Sequence, residues 1–367
     1  MPEIKIVYLA GYGMERNTGR NNATRDKVGA LTKFLGPENV GFFSLPVNRF
    51  GWLNYFWFDL KMLLKLSAIA RETVIIQRQA FLPLTNTLLW LRSMLVITEM
   101  HGTIRGELKF LDKTWIEKAL IFILDLSERY NYRLCSAFIF NHPYLRPPDH
   151  SKPYTWTYSG ANTIDFRVKD KLECRQRLQL PEHASVFLFS GMVSEWHGAD
   201  LLVALFKRKE MFGYTLLIVG VRDNRYCRSL KKNASSNIIF VDFKDQHTVV
   251  DYINAADVCL LPVKPIRKSP GSPLKLYDYI ACGKPVVAQQ QTPGYSDEVL
   301  MHSLGIVTNF GDPAVASKSL TDFIEQMDSN FYHFNNRQLA LGELGWNNRI
   351  IKWIDFISLL QNKKVTH

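Results

Sequence analysis

The feature that most limits what this chain can become is a repeated alternation of short apolar runs with longer helix-patterned segments. Short continuous apolar runs suit strands covered on both faces, and parallel strands need crossover helices between them. The pattern predicts strands at Ile4–Ala10, Val40–Leu45, Val74–Gln77, Leu95–His101, Ala137–Asn141 and Tyr154–Ser159. A linker from Gly160 to Arg167 interrupts it. The alternation then restarts at Val186–Gly191, Thr215–Gly220, Ile238–Phe243, Val258–Val263, Pro285–Gln289 and Gly305–Thr308. Helical periodicity fills the intervals at Ala23–Leu35, Leu84–Arg92, Lys109–Arg129 and Lys169–Leu178, and a last amphipathic helix covers Trp346–Leu360. The chain is therefore read as α/β, with two Rossmann-like, doubly wound halves facing across a cleft. Such sheets bind ligands at the carboxyl ends of their strands. The halves fall at residues 1–160 and 161–345, with the terminal helix, residues 346–367, packing back on the first.

Size and composition agree with two folded domains: 367 residues, 47% hydrophobic and 22% charged. Five cysteines without CxxC or metal spacing read as small buried residues in a reducing compartment. The chain opens on Pro2, Glu3 and a strand, so no secretory leader is expected. A net charge of +11 points to an anionic partner. No nucleic-acid-binding motif is present, so a membrane surface and phosphorylated substrates lead.

The stretch Ser269–Gln291, SPGSPLKLYDYIACGKPVVAQQQ, concentrates the chemistry. Ser272 reads as an N-cap and Pro273 as the first helical residue, followed by an apolar face of Leu274, Leu276, Tyr277, Ile280 and Ala281. Gly283 suits the left-handed position that ends the helix, and Pro285 prevents its continuing. Lys275 stands in the first turn, where the helix dipole disfavours a cation by about 0.3–1 kcal/mol. The mismatch is resolved if an anion sits there, and Gly271, Ser272 and Lys275 then form a phosphate cradle. Asp278, on the same helix face, suits hydrogen bonds from sugar hydroxyls. An ordinary βα unit with a solvated lysine is the alternative.

In the first half, Gly11 and Gly13 close the first strand, and a polar loop with Arg16, Asn21 and Asn22 follows, suited to a hydroxyl-rich or phosphorylated ligand. His101 sits before a glycine at another strand end, as a catalytic or positioning residue or a structural one. Arg49–Ala70 is aromatic and basic: Trp52, Phe56, Trp57, Lys61 and Lys65 would dock on an anionic membrane surface. Its charges break the apolar run that a spanning helix needs. A sheet-covering helix with its aromatics in the core is the competing reading.

The second half resembles the GT-B glycosyltransferases of family 4, group 1. The resemblance lies in the Gly160–Asp165 linker, in Phe189–Asp200 (FSGMVSEWHGAD), in Leu216–Gly220, in Ala255–Asp257 with Leu260–Pro262, and in the Ser269–Gln291 helix. Trp346 resembles the tryptophan near that family's closing helix. The resemblance implies a retaining transferase of the EC 2.4 class, using a nucleotide-diphosphate sugar (UDP or GDP) with no cofactor or metal. It implies donor binding in the second half by Gly191, His197, Gly271, Ser272, Pro273, Leu274, Lys275 and Asp278. Acceptor binding falls to the first half, with Gly11, Gly13, Arg16, Asn21 and Asn22. His101 and Lys275 are the catalytic candidates. Four positions depart from the family: Pro270 and Asp278 stand where a glutamate pair is usual, His197 replaces a lysine, and Met192 takes the place of a common arginine.

The expected acceptor is a lipid-linked glycan of bacterial surface-polysaccharide assembly, met by a cytoplasmic enzyme at the inner membrane face. A soluble glycan is the alternative acceptor. A sugar-nucleotide-binding scaffold subunit is the alternative function, a UDP-sugar epimerase is disfavoured by Pro270, and nucleic acid is not an expected partner.

Overall fold

A computed structural model describes residues 4–15, 18–46, 53–78, 82–101, 115–145, 151–264 and 272–365. The chain divides into two compact units, residues 1–158 with 346–367, and residues 159–345.

The first unit runs β1 (Ile6–Ala10), α1 (Gly19–Leu35), β2 (Val40–Ser44), α2 (Leu53–Ser67), β3 (Val74–Arg78), α3 (Pro83–Leu91), β4 (Val96–Met100), α4 (Trp115–Leu134), β5 (Ala137–Phe140) and β6 (Tyr154–Trp156). Every strand pairing is parallel, in the order β2-β1-β3-β4-β5-β6. Strands β1, β3, β4 and β5 are buried throughout, as expected of apolar runs covered on both faces. Phe58, Met62 and Leu66 lie on one stripe of α2 and join Ile75, Val96 and Phe138 in the core. Asp59 faces inward too, and its carboxylate accepts the Leu84 and Thr85 N–H groups at 2.9 Å each, capping α3 from a neighbouring helix.

Helix α1 begins four residues earlier than its periodicity predicts. Thr18 caps it, its hydroxyl accepting the Asn21 N–H at 3.3 Å, so Asn21 and Asn22 lie in the first helical turn and not in a loop.

The second unit runs α5 (Lys171–Arg177), β7 (Ser185–Ser190), α6 (Ala199–Phe206), β8 (Tyr214–Val221), α7 (Arg225–Lys232), β9 (Ile238–Asp242), α8 (Gln246–Ala255), β10 (Val258–Leu261), α9 (Leu274–Ala281), β11 (Val286–Gln289), α10 (Ser296–Met301), β12 (Gly305–Thr308), α11 (Pro313–Gln326) and α12 (Ser329–Leu341). Its sheet is also parallel, in the order β12-β11-β10-β7-β8-β9. Phe187, Phe189, Leu216 and Ile218 pack under α6 in its core. The last helix, α13 (Trp346–Val365), packs on α1 of the first unit and buries Ile350, Trp353 and Ile357.

Each sheet reverses its winding direction once. The reversal falls between β1 and β3 in the first unit, and between β7 and β10 in the second. The carboxyl ends of those strands are where crevices for ligands form.

Candidate active site

At the β7/β10 reversal, β7 is followed directly by Gly191 with φ of +107°, and the neighbouring β8 contains Gly220 with φ of +106°. A Cβ on Gly220 would come within 2.2 Å of the Gly191 carbonyl oxygen, and one on Gly191 within 2.6 Å of Lys275 Cε. Only glycine satisfies both the backbone angle and the approach. The Lys275 stem therefore lies against Gly191, and its ammonium stands 4.9 Å from the Phe189 ring centroid. Burial lowers the Lys275 pKa to about 7, against the opposing pull of Asp278. Near neutral pH this lysine sits at its titration midpoint, so an added anion would recharge it.

Helix α9 starts one residue later than predicted. Pro273 takes the cap position without a side-chain bond, and the Ser272 hydroxyl instead accepts the Ser159 N–H at 2.8 Å. The Leu274 N–H bonds the Ser272 carbonyl and the Leu276 N–H bonds the Pro273 carbonyl, so these two donors are already engaged. Leu274 is only half-buried. Tyr279 takes its place on the inner face, where its hydroxyl accepts the Ser190 N–H at 2.9 Å and ties the helix to the end of β7. Gly283 does adopt a left-handed φ of +69°. Asp278 is half-buried one turn after Lys275.

His197 ends a 3-10 turn at Glu195–His197. It is buried, with its Nδ1 2.7 Å from the Ser194 hydroxyl and its ring 3.7 Å from that of Trp196. Gly198, at φ +76°, presses this turn onto Pro262 at the exit of β10: a Cβ there would meet the Pro262 carbonyl oxygen at 1.9 Å. The same exit carries Lys264, whose N–H bonds the Trp196 carbonyl at 3.0 Å and whose ammonium lies 2.6 Å from Asp200. Sequence reading missed Lys264. Its signal is a lysine two residues past the Leu260-Leu261-Pro262 strand end.

At the other reversal, the Gly11 N–H bonds the Arg78 carbonyl at 2.9 Å, and the Asn21 side chain bonds the Gly13 carbonyl at 2.9 Å. Asn22 accepts Arg25 at 2.8 Å. These contacts close the turn after β1. Behind it lies a buried polar network that sequence reading found only at its outer member, His101. Glu99 accepts hydrogen bonds from the Tyr8 hydroxyl, the Lys27 ammonium and His101 Nε2. His101 Nδ1 meets Arg78 at 3.2 Å and Asn141 at 2.7 Å. Arg78 also bonds the Thr24 hydroxyl, which meets Tyr12. The Lys27 ammonium sits 4.9 Å from the Trp353 ring. Burial pushes the Glu99 carboxyl up, but Lys27, Arg78 and His101 outweigh it and hold it well below the usual range. Burial and Arg78 lower His101 to about 3, so its ring is neutral.

On α2, Phe56 and Trp57 are exposed, with ring centroids 5.8 Å apart, and Lys61 and Lys65 are exposed beside them. Those two aromatics are not core residues; Phe58 is. Arg16, Trp52, Pro270 and Gly271 lie outside the described residues. Among the described residues no helix is long and apolar enough to cross a membrane, and no three His, Cys, Asp or Glu side chains gather as a metal site.

Residues 170–334 match the family described as glycosyl transferases group 1. No curated protein matches the chain. Sucrose-phosphate synthase from Thermosynechococcus elongatus superposes with a TM-score of 0.71 at 17% identity, over 97% of this chain and 99% of its own. HepE of Anabaena, in complex with UDP and glucose, gives 0.67 at 16% identity, over 96% and 99%. WaaG, a glycosyltransferase involved in lipopolysaccharide biosynthesis, gives 0.64 at 14% identity, over 94% and 99%. At these identities the likeness is one of fold, the GT-B architecture of paired parallel sheets.

Proposed function

With residues 170–334 a group 1 glycosyl transferase domain in a chain of GT-B fold, we propose that the protein transfers a sugar from a nucleotide diphosphate, with retention, to the hydroxyl of a lipid-linked glycan. One observation carries the donor assignment. The family match spans the strand reversal where Lys275 lies across Gly191, with Asp278 one turn further along. UDP is the first nucleotide to test, since HepE holds UDP and UDP-glucose.

In this reading the bond between the anomeric carbon and the diphosphate oxygen breaks. The diphosphate leaves with the electron pair, and the acceptor oxygen bonds the same face of that carbon. The leaving phosphate takes the acceptor's proton. Lys275 stabilises the charge that develops on the diphosphate, a fixed-cation role that removes the need for a metal. Asp278 accepts ribose hydroxyls, and His101 is assigned to the reacting sugar.

The exposed pair Phe56–Trp57 supports a lipid-linked acceptor. Further exposed apolar side chains, Trp90 and Leu91 of α3 and Phe122 and Leu126 of α4, lie on the next two helices of the same layer. Lys61, Lys65 and Lys118 supply exposed positive charge on the same helices. An aromatic surface with basic residues suits an anionic leaflet.

The test is a thermal-shift panel of nucleotide diphosphates and nucleotide-sugars on wild type and Asp278→Ala. A donor at about 100 times its dissociation constant adds about 2.7 kcal/mol to the native state. A shift with one nucleotide series that is lost in the variant supports the site. No shift with any of them refutes it.

A further inference from the structure

The network behind β1, β3 and β4 buries more charge than a sheet end requires. Lys27, Arg78 and Glu99 are all at least nine-tenths buried, and His101 is the only partly accessible member of the chain of contacts that links them. Such a cluster is costly to assemble and is tolerated where each group is fully bonded.

We infer that Glu99 is a positioning residue that fixes the tautomer and orientation of His101. His101 Nδ1 faces two donors, the Arg78 guanidinium and the Asn141 amide, and guanidinium has no acceptor to offer in return. Nδ1 must therefore accept. The proton then resides on Nε2, which lies 2.5 Å from Glu99 Oε1. Glu99 is itself immobilised: Tyr8 holds Oε2, while Lys27 and His101 share Oε1. Glu99 and His101 stand two residues apart at the end of β4, so the strand's alternation turns both side chains to one side.

Among the described residues, the charged and titratable groups around the ring are Lys27 of α1, Tyr8 of β1, Arg78 of β3 and Glu99 of β4, with Tyr12 and Arg20 in the next layer. A proton added to the ring at Nδ1 would face the Arg78 guanidinium at 3.2 Å. The ring is thus held as a rigid, uncharged contact and not as a proton acceptor. The role assigned to it in transfer rests on the proposed function; the tautomer does not.

The experiment is a long-range proton–nitrogen spectrum of the wild-type histidines between about pH 5.5 and 8, with His101→Asn giving the assignment. The expected result is a neutral Nε2–H ring that does not titrate over this range. A ring that is protonated on Nδ1, or that titrates near the ordinary value, overturns the inference. Because this reads the wild type, it decides the matter even where Glu99→Gln does not fold. A folded Glu99→Gln should release the ring, with turnover reduced on the order of tenfold to a hundredfold and the donor KM unchanged. A folded variant with wild-type turnover and the same spectrum also overturns it. A wild type that turns over no nucleotide-sugar counts against the transfer reading alone, and the spectrum still decides the role of Glu99.

Discussion

At the proposed donor site, a lysine whose pKa burial lowers to about 7 would make donor binding a proton-coupled event. Without ligand, Lys275 has its pKa lowered to about 7 by burial. A bound diphosphate would restore it towards the ordinary value of about 10.4, because an opposite charge in contact favours the ammonium. Binding should then take up about half a proton per site at about pH 7, and about 0.9 at about pH 8. The linked affinity falls as pH rises, since the free protein must first be protonated. Between about pH 6 and pH 8 the dissociation constant should rise about tenfold. The ligand of choice is a UDP-sugar, whose substituted diphosphate does not titrate in this range. Calorimetry in two buffers of different ionisation enthalpy, HEPES and Tris, reads the proton count. Lys275→Arg is the control: a guanidinium keeps its charge, so proton uptake should vanish and the affinity become flat with pH. Equal uptake in wild type and Lys275→Arg would place the titrating group elsewhere. No uptake in wild type, with binding intact, would remove Lys275 from the diphosphate.

Other expectations concern neighbouring parts of the molecule. Gly191→Ala puts a side chain at a φ that costs about 1–2 kcal/mol and pushes the flexible Lys275 stem aside, so the melting temperature should drop and the donor-induced shift should shrink with it. Asp59→Ala removes both bonds at the start of α3 and should cost about 1–2 kcal/mol in denaturant unfolding, whereas Lys61→Ala should cost nothing measurable. Replacing Phe56, Trp57 and Lys61 together should abolish sedimentation with anionic vesicles and leave the melting temperature in place; vesicles that still carry the variant down would put the docking surface elsewhere. His101 is held neutral in the folded chain, so the unfolded state binds the extra proton as pH falls below about 6.5, and stability should be lost progressively from there towards about pH 3. Wild type should therefore lose more stability than His101→Asn over that interval, as read by urea unfolding.

Much of the architecture was legible because parallel strands buried on both faces leave a plain signature. Ile6–Ala10, Val258–Leu261 and the Val74–Ile76 core of β3 are short, apolar runs of the kind that a doubly covered strand requires. Element ends were less legible, for local reasons. Thr18 extends α1 backwards over two asparagines of weak helix propensity, because one side-chain bond at the cap outweighs them. Ser272 has the right chemistry for a cap, but the Ser159 N–H claims its hydroxyl from far along the chain. Spacing rules cannot see a competitor that tertiary structure brings in.

The candidate site divides along the same line. Lys275 could be found from sequence because it offends a local rule, a cation in the first turn of a helix. Glu99, Lys27 and Arg78 offend rules too, but only once the fold is known. Glu99 is an acid inside Val96–Met100, a strand otherwise fit for full burial, and Lys27 falls on the inner stripe of α1. Each alone reads as an exposed position misjudged by one residue. Together they can be buried only if they meet, and the strand order decides that: β1, β3 and β4 are adjacent, Arg78 lies directly beside Glu99 in the register, and Tyr8 of β1 reaches the same carboxylate with its hydroxyl. A charge in an apolar strand is therefore informative in pairs of opposite sign on neighbouring strands or their covering helix. In this chain that rule leads from His101 to Glu99, and from Glu99 to Lys27.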